Sequence, residues 1–386
     1  MTDEIWNVEV LLSAAQEQTG LSDFGEPPFK DGLEVLAESV NNEAENLKAK
    51  PEMLEFERQE VIDRLCQRLK LIEDRKQNPA IASKKIVKPL FVIGLPRTGT
   101  THTHHLLSLD PANRYTSFWE LLRPSPPPEA VSYYNDPRIA EVNEVLHSAG
   151  LTEENLGPMH AFSSTNPEEC QYIFEYAFRS QNQSAKIQKP LFSTWLAQTD
   201  MVPAYQLHRM FLQHLQWRCP GERWILKSPQ IITDIKALLE VYPDAVFVVT
   251  HRDPKTMFPS LLSICNALHD LYHDGLDRSL ETRKWLDILP RATRELVAIS
   301  RDHRYRDQFV HVTFSELTSD PVTVVEKIYD HIGAPFTAET AQLIEQHMTA
   351  NPRYKLGKHR YNLEEFGLTE AIIEEEFSDY IAAFNF

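Results

Sequence analysis

The chain has 386 residues, a net charge of −17 and an apolar content that suits a globular core. Such acidity argues against nucleic acid or an anionic membrane surface as a partner. No apolar run approaches the ~20 residues that cross a bilayer, the acidic start Met1-Thr2-Asp3-Glu4-Ile5 lacks the character of a signal peptide, and Cys66, Cys170, Cys219 and Cys265 have no paired spacing, so a cytoplasmic protein with reduced thiols is expected.

Residues 1–80 read as a helical N-terminal extension without visible chemistry. Leu33, Leu36, Val40, Ala44 and Leu47 recur at helical spacing. Pro51 can open a second helix at its first position, and Val61, Leu65, Leu69 and Ile72 continue an apolar stripe. Packing against the rest of the chain is the plain role for these helices. A lid or a homodimer contact is the alternative, because a stripe alone does not choose.

Residues 81–386 read as one α/β domain. Strand-like runs at Leu90–Ile93, Arg114–Phe118, Arg223–Leu226, Ala245–Thr250 and Phe309–Thr313 alternate with helical patterns. The helices are expected at His102–Leu109, Pro203–Trp217, Ile231–Tyr242, Pro254–Tyr272 and Leu280–Arg301. The alternation implies a three-layer, P-loop-type fold with a mostly parallel sheet of about five strands. Ligands then bind beyond the carboxyl ends of the strands. Arg123-Pro124-Ser125-Pro126-Pro127-Pro128 is a rigid loop inside the alternation rather than a linker.

The first strand runs into Gly94-Leu95-Pro96-Arg97-Thr98-Gly99-Thr100-Thr101 and then a helix. A strand, a tight loop and a helix N-terminus bind phosphate, because loop amides point inward and the helix dipole adds positive charge. In a nucleotide triphosphatase loop a lysine follows the second glycine and reaches the β/γ-phosphates. Here Thr100 holds that position and Arg97 is the loop's cation. The loop suits a phosphate-type anion without the usual ATP chemistry.

Pro96-Arg97-Thr98-Gly99-Thr100-Thr101 resembles the 5′-phosphosulfate loop of the sulfotransferases that use PAPS, 3′-phosphoadenosine 5′-phosphosulfate. Trp224-Ile225-Leu226-Lys227-Ser228-Pro229 and Val248-Val249-Thr250-His251-Arg252-Asp253-Pro254, followed by Ser260, resemble the same family in the expected order. The resemblance covers roughly residues 88 to 386 and is closest to the bacterial and tyrosyl-protein-like branch.

That resemblance implies a PAPS-dependent sulfotransferase. It would move a sulfuryl group to a hydroxyl acceptor, most simply a small molecule, with no metal required. Catalysis of such an in-line displacement is mostly positioning and charge stabilisation. Arg97 would hold the bridging or leaving phosphate oxygen. Thr98, Gly99, Thr100 and Thr101 would give amides and hydroxyls to the 5′-phosphate. Lys227 would stabilise charge on the sulfuryl group. Arg252 and Ser260 would bind the 3′-phosphate, with Asp253 and Pro254 starting the helix between them. The family also lays a basic C-terminal segment over that phosphate, which points to Lys358 and Arg360 within the cluster Arg353, Lys355, Lys358, His359 and Arg360.

The general base is open at this level. Glu120 follows the second strand-like run, where several branches place a catalytic glutamate. His102 competes by proximity, and His160, Glu168 and Glu169 are further candidates. Many relatives carry a histidine just after the Lys-Ser-Pro segment, whereas here Gln230 is followed by Ile231 and Ile232. A P-loop kinase or nucleotide triphosphatase is an alternative that Thr100 disfavours. A catalytically inactive protein that keeps the cofactor fold is another.

Overall fold

The computed structural model describes residues 6–43, 46, 48–148, 163–275, 277–351 and 362–386. Five parallel strands form one sheet: β1 (Leu90–Gly94), β2 (Asn113–Arg114), β3 (Arg223–Lys227), β4 (Val246–His251) and β5 (Phe309–Thr313), in the order β2-β3-β1-β4-β5. Leu90 pairs with Val246 and Gly94 with Thr250, so β1 and β4 end level. The central strands are apolar throughout because both faces are covered. Side chains alternate between two clusters: Phe91, Ile93, Phe247 and Val249 face one, and Leu90, Val92 and Val248 the other.

The N-terminal helices α1 (Val8–Thr19), α2 (Lys30–Glu43) and α3 (Pro51–Gln77) belong to the first cluster. Leu33, Leu36, Val40, Leu65 and Leu69 are buried in the same cluster as Phe91 and Phe174, whereas Ala44 and Leu47 lie outside the described residues. The first helix was not expected from sequence; its buried set is only Leu11, Leu12 and Ala15. Arg68 of α3 ties the extension down. Its guanidinium is buried, lies over the Phe29 ring at 4.4 Å, and donates to the carbonyls of Phe24, Gly25, Pro27 and Tyr176. Among the described residues no helix is long and apolar enough to cross a membrane.

The sequence expectation differs most at β2. Of the strand expected over Arg114–Phe118, Arg114 alone joins Asn113 in the ladder with β3, Ser117 makes an isolated antiparallel bridge to Pro167, and a helix starts at Phe118. Ser117 and Glu120 explain the turn: the Glu120 carboxylate accepts the Ser117 backbone N–H at 3.0 Å, a capping interaction that competes with the ladder. The helix expected over Ile231–Tyr242 is likewise a 3₁₀ turn, Pro229–Thr233, followed by an α-helix at Ile235–Val241.

Candidate active site

The loop after β1 is held from three sides. Gly94 has φ +151, and a Cβ there would lie 2.5 Å from the Thr250 carbonyl oxygen. Gly99 has φ +98, and a Cβ there would meet Leu317 at 2.8 Å. Only glycine takes such backbone at little cost. The Thr98 hydroxyl bonds the Leu95 carbonyl at 2.6 Å and the Thr250 hydroxyl at 2.7 Å, which pins the loop to β4. The Thr98 side chain is fully buried with its hydroxyl engaged inside the fold, unlike the phosphate-facing hydroxyl expected from sequence. Helix α4 (Thr100–Ser108) then begins, with unpaired first-turn amides at Thr100 and Thr101.

Arg97 sits at the loop's apex with φ +67, a left-handed conformation that costs a non-glycine residue about 1 kcal/mol or more. Its Nε donates to Ser260 Oγ at 3.3 Å, and its carbonyl accepts from Arg252 Nη1 at 3.0 Å. The Arg252 guanidinium also lies over the Phe314 ring at 4.5 Å. Asp253 caps the Pro254–Tyr272 helix through Lys255 N–H at 2.9 Å, which sets Ser260 two turns along and facing the loop. Arg97, expected at the 5′-phosphate, thus meets the expected pair Arg252 and Ser260 at the neighbouring ends of β1 and β4. Phe314 carried no signal in the sequence.

Lys227 ends β3 with its side chain 1% exposed. Its ammonium lies 3.3 Å from Thr101 Oγ1 and pairs with the Glu169 carboxylate. Glu169 arrives on a segment laced to the chain after β2: Glu168 N–H donates to the Thr116 carbonyl, and Cys170 N–H to the Lys227 carbonyl, both at 2.9 Å. The Glu169 side chain keeps 19% of its surface exposed, so it can meet a ligand.

Glu120 has a different environment from the one expected of a base. It is fully buried, and Arg114 grips both its oxygens. Tyr133 Oη and the Ser117 N–H add bonds to the same carboxylate at 3.0 Å each. Burial alone would lower the Arg114 guanidinium, but the adjoining Glu120 charge outweighs it and raises its pKa. Four donors on its carboxylate and no exposed surface tie Glu120 to Arg114, Ser117 and Tyr133 where β2 ends early.

His102 is partly buried on α4, its ring 6.5 Å from His347. Burial, and then His347, push its imidazole down to about 4. His105, one turn on, also faces His347, while the buried His104 bonds the Ile225 carbonyl at 3.3 Å. Among the described residues no group of three or more His, Cys, Asp or Glu side chains is placed to hold a metal. His160, Lys358 and Arg360 lie outside the described residues. A cavity of about 380 Å³ flanks α4, lined by His105, Tyr115, Tyr133, Tyr134, Asn166 and His347 among others.

A parallel sheet with an anion loop at its centre, flanked by Lys227 on one side and Arg252 on the other, defines a phosphate- or sulfate-handling transferase. The chain belongs to the sulfotransferase family, whose model matches residues 89–338. It is 24% identical over 314 residues to omega-hydroxy-beta-dihydromenaquinone-9 sulfotransferase Stf3 of Mycobacterium bovis, covering 77% of this chain and 75% of that one. Among solved structures, sulfotransferase STF9 of Mycobacterium avium superposes with a TM-score of 0.89 at 27% identity, covering 99% of this chain and 97% of that one. Sulfotransferase STF1 of Mycobacterium tuberculosis gives 0.85 at 26% identity, covering 97% and 99%. The protein is an enzyme that transfers a sulfuryl group.

Proposed function

We propose that the donor is PAPS and the acceptor an uncharged small molecule with a hydroxyl group. The observation that carries this reading is the Lys227 ammonium, set between Thr101 of the anion loop and the Glu169 carboxylate. An ammonium has three donors. Two face Thr101 and Glu169, which leaves a third for a sulfuryl oxygen. The loop amides, Thr100 and Thr101 would take the 5′-phosphate, and Arg97 the oxygen that leaves. Arg252 and Ser260 would take the 3′-phosphate, aided by Lys358 and Arg360.

Glu169 is the base in this reading. As the acceptor oxygen bonds to sulfur, the bond from sulfur to the phosphate oxygen breaks and its electron pair stays on adenosine 3′,5′-bisphosphate. The acceptor's proton passes to the Glu169 carboxylate. Its exposure and its place beside Lys227 support that role over the enclosed Glu120. His102 is disfavoured because an imidazole pushed down to about 4 is a weak base. The phosphate leaving group is already good, so the chemistry needs no metal.

Acceptor entry along the cavity beside α4 is supported by its tyrosines and by the lack of charged side chains in its lining. His105 lies one helical turn, about 5–6 Å, from Thr101. The Stf3 relatives, named for an omega-hydroxy menaquinone derivative, favour an alcohol on an apolar body. In this reading residues 1–80 serve as scaffold and 81–386 carry the chemistry. A cytoplasmic location is supported by four free thiols, three of them buried.

Thermal unfolding with added nucleotide tests the donor. The bisphosphate at 100 times its dissociation constant stabilises by about 2.7 kcal/mol without metal. ATP with Mg²⁺ should do far less, and an equal effect refutes the donor assignment. Labelled PAPS with a panel of aliphatic alcohols and phenols then tests transfer, and no transfer to any member would favour an inactive binding protein.

A further inference from the structure

The C-terminal helix Ser378–Phe384 closes over the ends of β4 and β5, and its contacts converge on the residue next to Arg252. His251 is the last residue of β4 and is 1% exposed. Both ring nitrogens are engaged: Nδ1 with Tyr380 Oη at 2.9 Å and Nε2 with His311 Nδ1 at 2.8 Å. Phe384 stacks on the same imidazole with centroids 3.8 Å apart. The Arg252 backbone N–H bears on the Tyr380 hydroxyl as well. Tyr380 is itself 1% exposed, and Arg301 Nη2 reaches the Ala383 carbonyl at 3.4 Å.

Burial keeps both rings neutral, pushing His251 down to about 3 and His311 to about 4. A neutral imidazole carries one N–H, so the Tyr380 hydroxyl and the two rings form a single hydrogen-bonded chain whose sense is set by the tautomers. One hydroxyl therefore fixes the ring of residue 251 and the backbone of residue 252 together. That sets the direction in which the Arg252 side chain leaves the strand, toward the Arg97 carbonyl and the Phe314 face.

We propose that Tyr380 is a positioning residue for Arg252, so that the C-terminal helix, some 130 residues away in sequence, sets affinity for the donor's 3′-phosphate. The proposal rests on the reading of Arg252 given above. Its signature is a selective loss, because among the described residues the hydrogen bonds and ring contacts of Tyr380 go to His251, Arg252, Phe384 and Phe386 and not to the loop after β1.

Isothermal titration with adenosine 3′,5′-bisphosphate and with adenosine 5′-monophosphate tests it on the full chain. Tyr380→Phe keeps the ring and removes the hydroxyl. It should weaken the bisphosphate roughly 3- to 10-fold, the effect of one hydrogen bond. The monophosphate should stay within about twofold, and kcat at saturating PAPS should be unchanged. Phe384→Leu loosens the packing but leaves the hydroxyl, so it should lower the melting temperature without altering the ratio of the two affinities. Arg252→Ala separates the two levels of the argument. If it abolishes the preference for the bisphosphate while Tyr380→Phe leaves that preference intact, the positioning role is overturned and Arg252 stands. If Arg252→Ala itself keeps the preference, the reading of Arg252 fails and the proposal falls with it.

Discussion

Replacing Glu120 by glutamine separates a carboxylate that holds the fold from one that takes a proton. The Glu120 side chain has no exposed surface, and its oxygens receive Arg114 twice, Tyr133 Oη and the Ser117 N–H. Glutamine keeps one acceptor but turns the other into an amino group facing those donors. It also leaves the Arg114 guanidinium, 8% exposed, without its counter-charge. Breaking a buried pair outright costs about 3–5 kcal/mol. The retained acceptor reduces that here to about 2–4 kcal/mol. For a chain of 386 residues, at roughly 2.1 cal/mol/K of unfolding entropy per residue, the melting temperature should fall by about 2–5 °C. Turnover per folded molecule should stay within about twofold, and bisphosphate affinity should not change. Thermal or urea unfolding, paired with kcat normalised to active enzyme, measures both. A variant that melts like the wild type but turns over 100-fold slower would refute the argument and return Glu120 to the chemistry.

Lys227→Ala removes a preorganised donor and should lower kcat by about 10²–10³; an intact kcat would remove Lys227 from the mechanism. Glu169→Gln should cost about 10²–10⁴ with an aliphatic alcohol and much less with an acidic phenol, and a loss equal for both acceptors would count against a base. Gly99→Ala forces a Cβ into left-handed backbone 2.8 Å from Leu317 and should cost about 1–3 kcal/mol in stability while weakening bisphosphate binding; wild-type values in both would show that the loop is not held as described. Burial pushes the His208 imidazole down to about 3, beneath the ordinary value, so the unfolded chain takes up its proton first as pH falls. The stability that this neutral ring contributes is complete above about pH 6.5 and is lost toward pH 3, by about 1.4 kcal/mol per pH unit. Urea midpoints between pH 7 and 5 for the wild type and His208→Gln should show that slope shrinking in the variant, and unchanged slopes would contradict it.

The sheet was legible because its central strands are short, apolar runs bounded by turn residues, and four of the five appear within a residue or two of their expected positions. The second strand misled for a local reason. Arg114 to Phe118 has strand character, but Ser117 and Glu120 form a cap that sequence spacing alone does not distinguish from a strand followed by a free glutamate. The loop after β1 and the start of the Pro254–Tyr272 helix were readable because glycine spacing and the Asp-Pro helix start are local signals. The meeting of Arg97, Arg252 and Ser260, and of Lys227 with Glu169, depends on long-range pairing of β1, β3 and β4. No local pattern carries that. Thr98 shows the same limit: nothing in the loop sequence says that its hydroxyl turns inward to Thr250.

The buried Arg68 joins the N-terminal helices to the body of the fold. The segment matched by the family begins at residue 89, yet the carbonyl of Tyr176 inside it takes its hydrogen bond from Arg68 outside it. Phe178 and Phe174 lie in the same buried cluster as Leu33, Leu36 and Leu65. A gene cut at the family boundary would therefore encode a protein with a greasy open flank and an orphaned carbonyl, prone to insolubility. The helical extension therefore belongs in any expressed fragment meant to keep the flank around Phe174 and Phe178 covered.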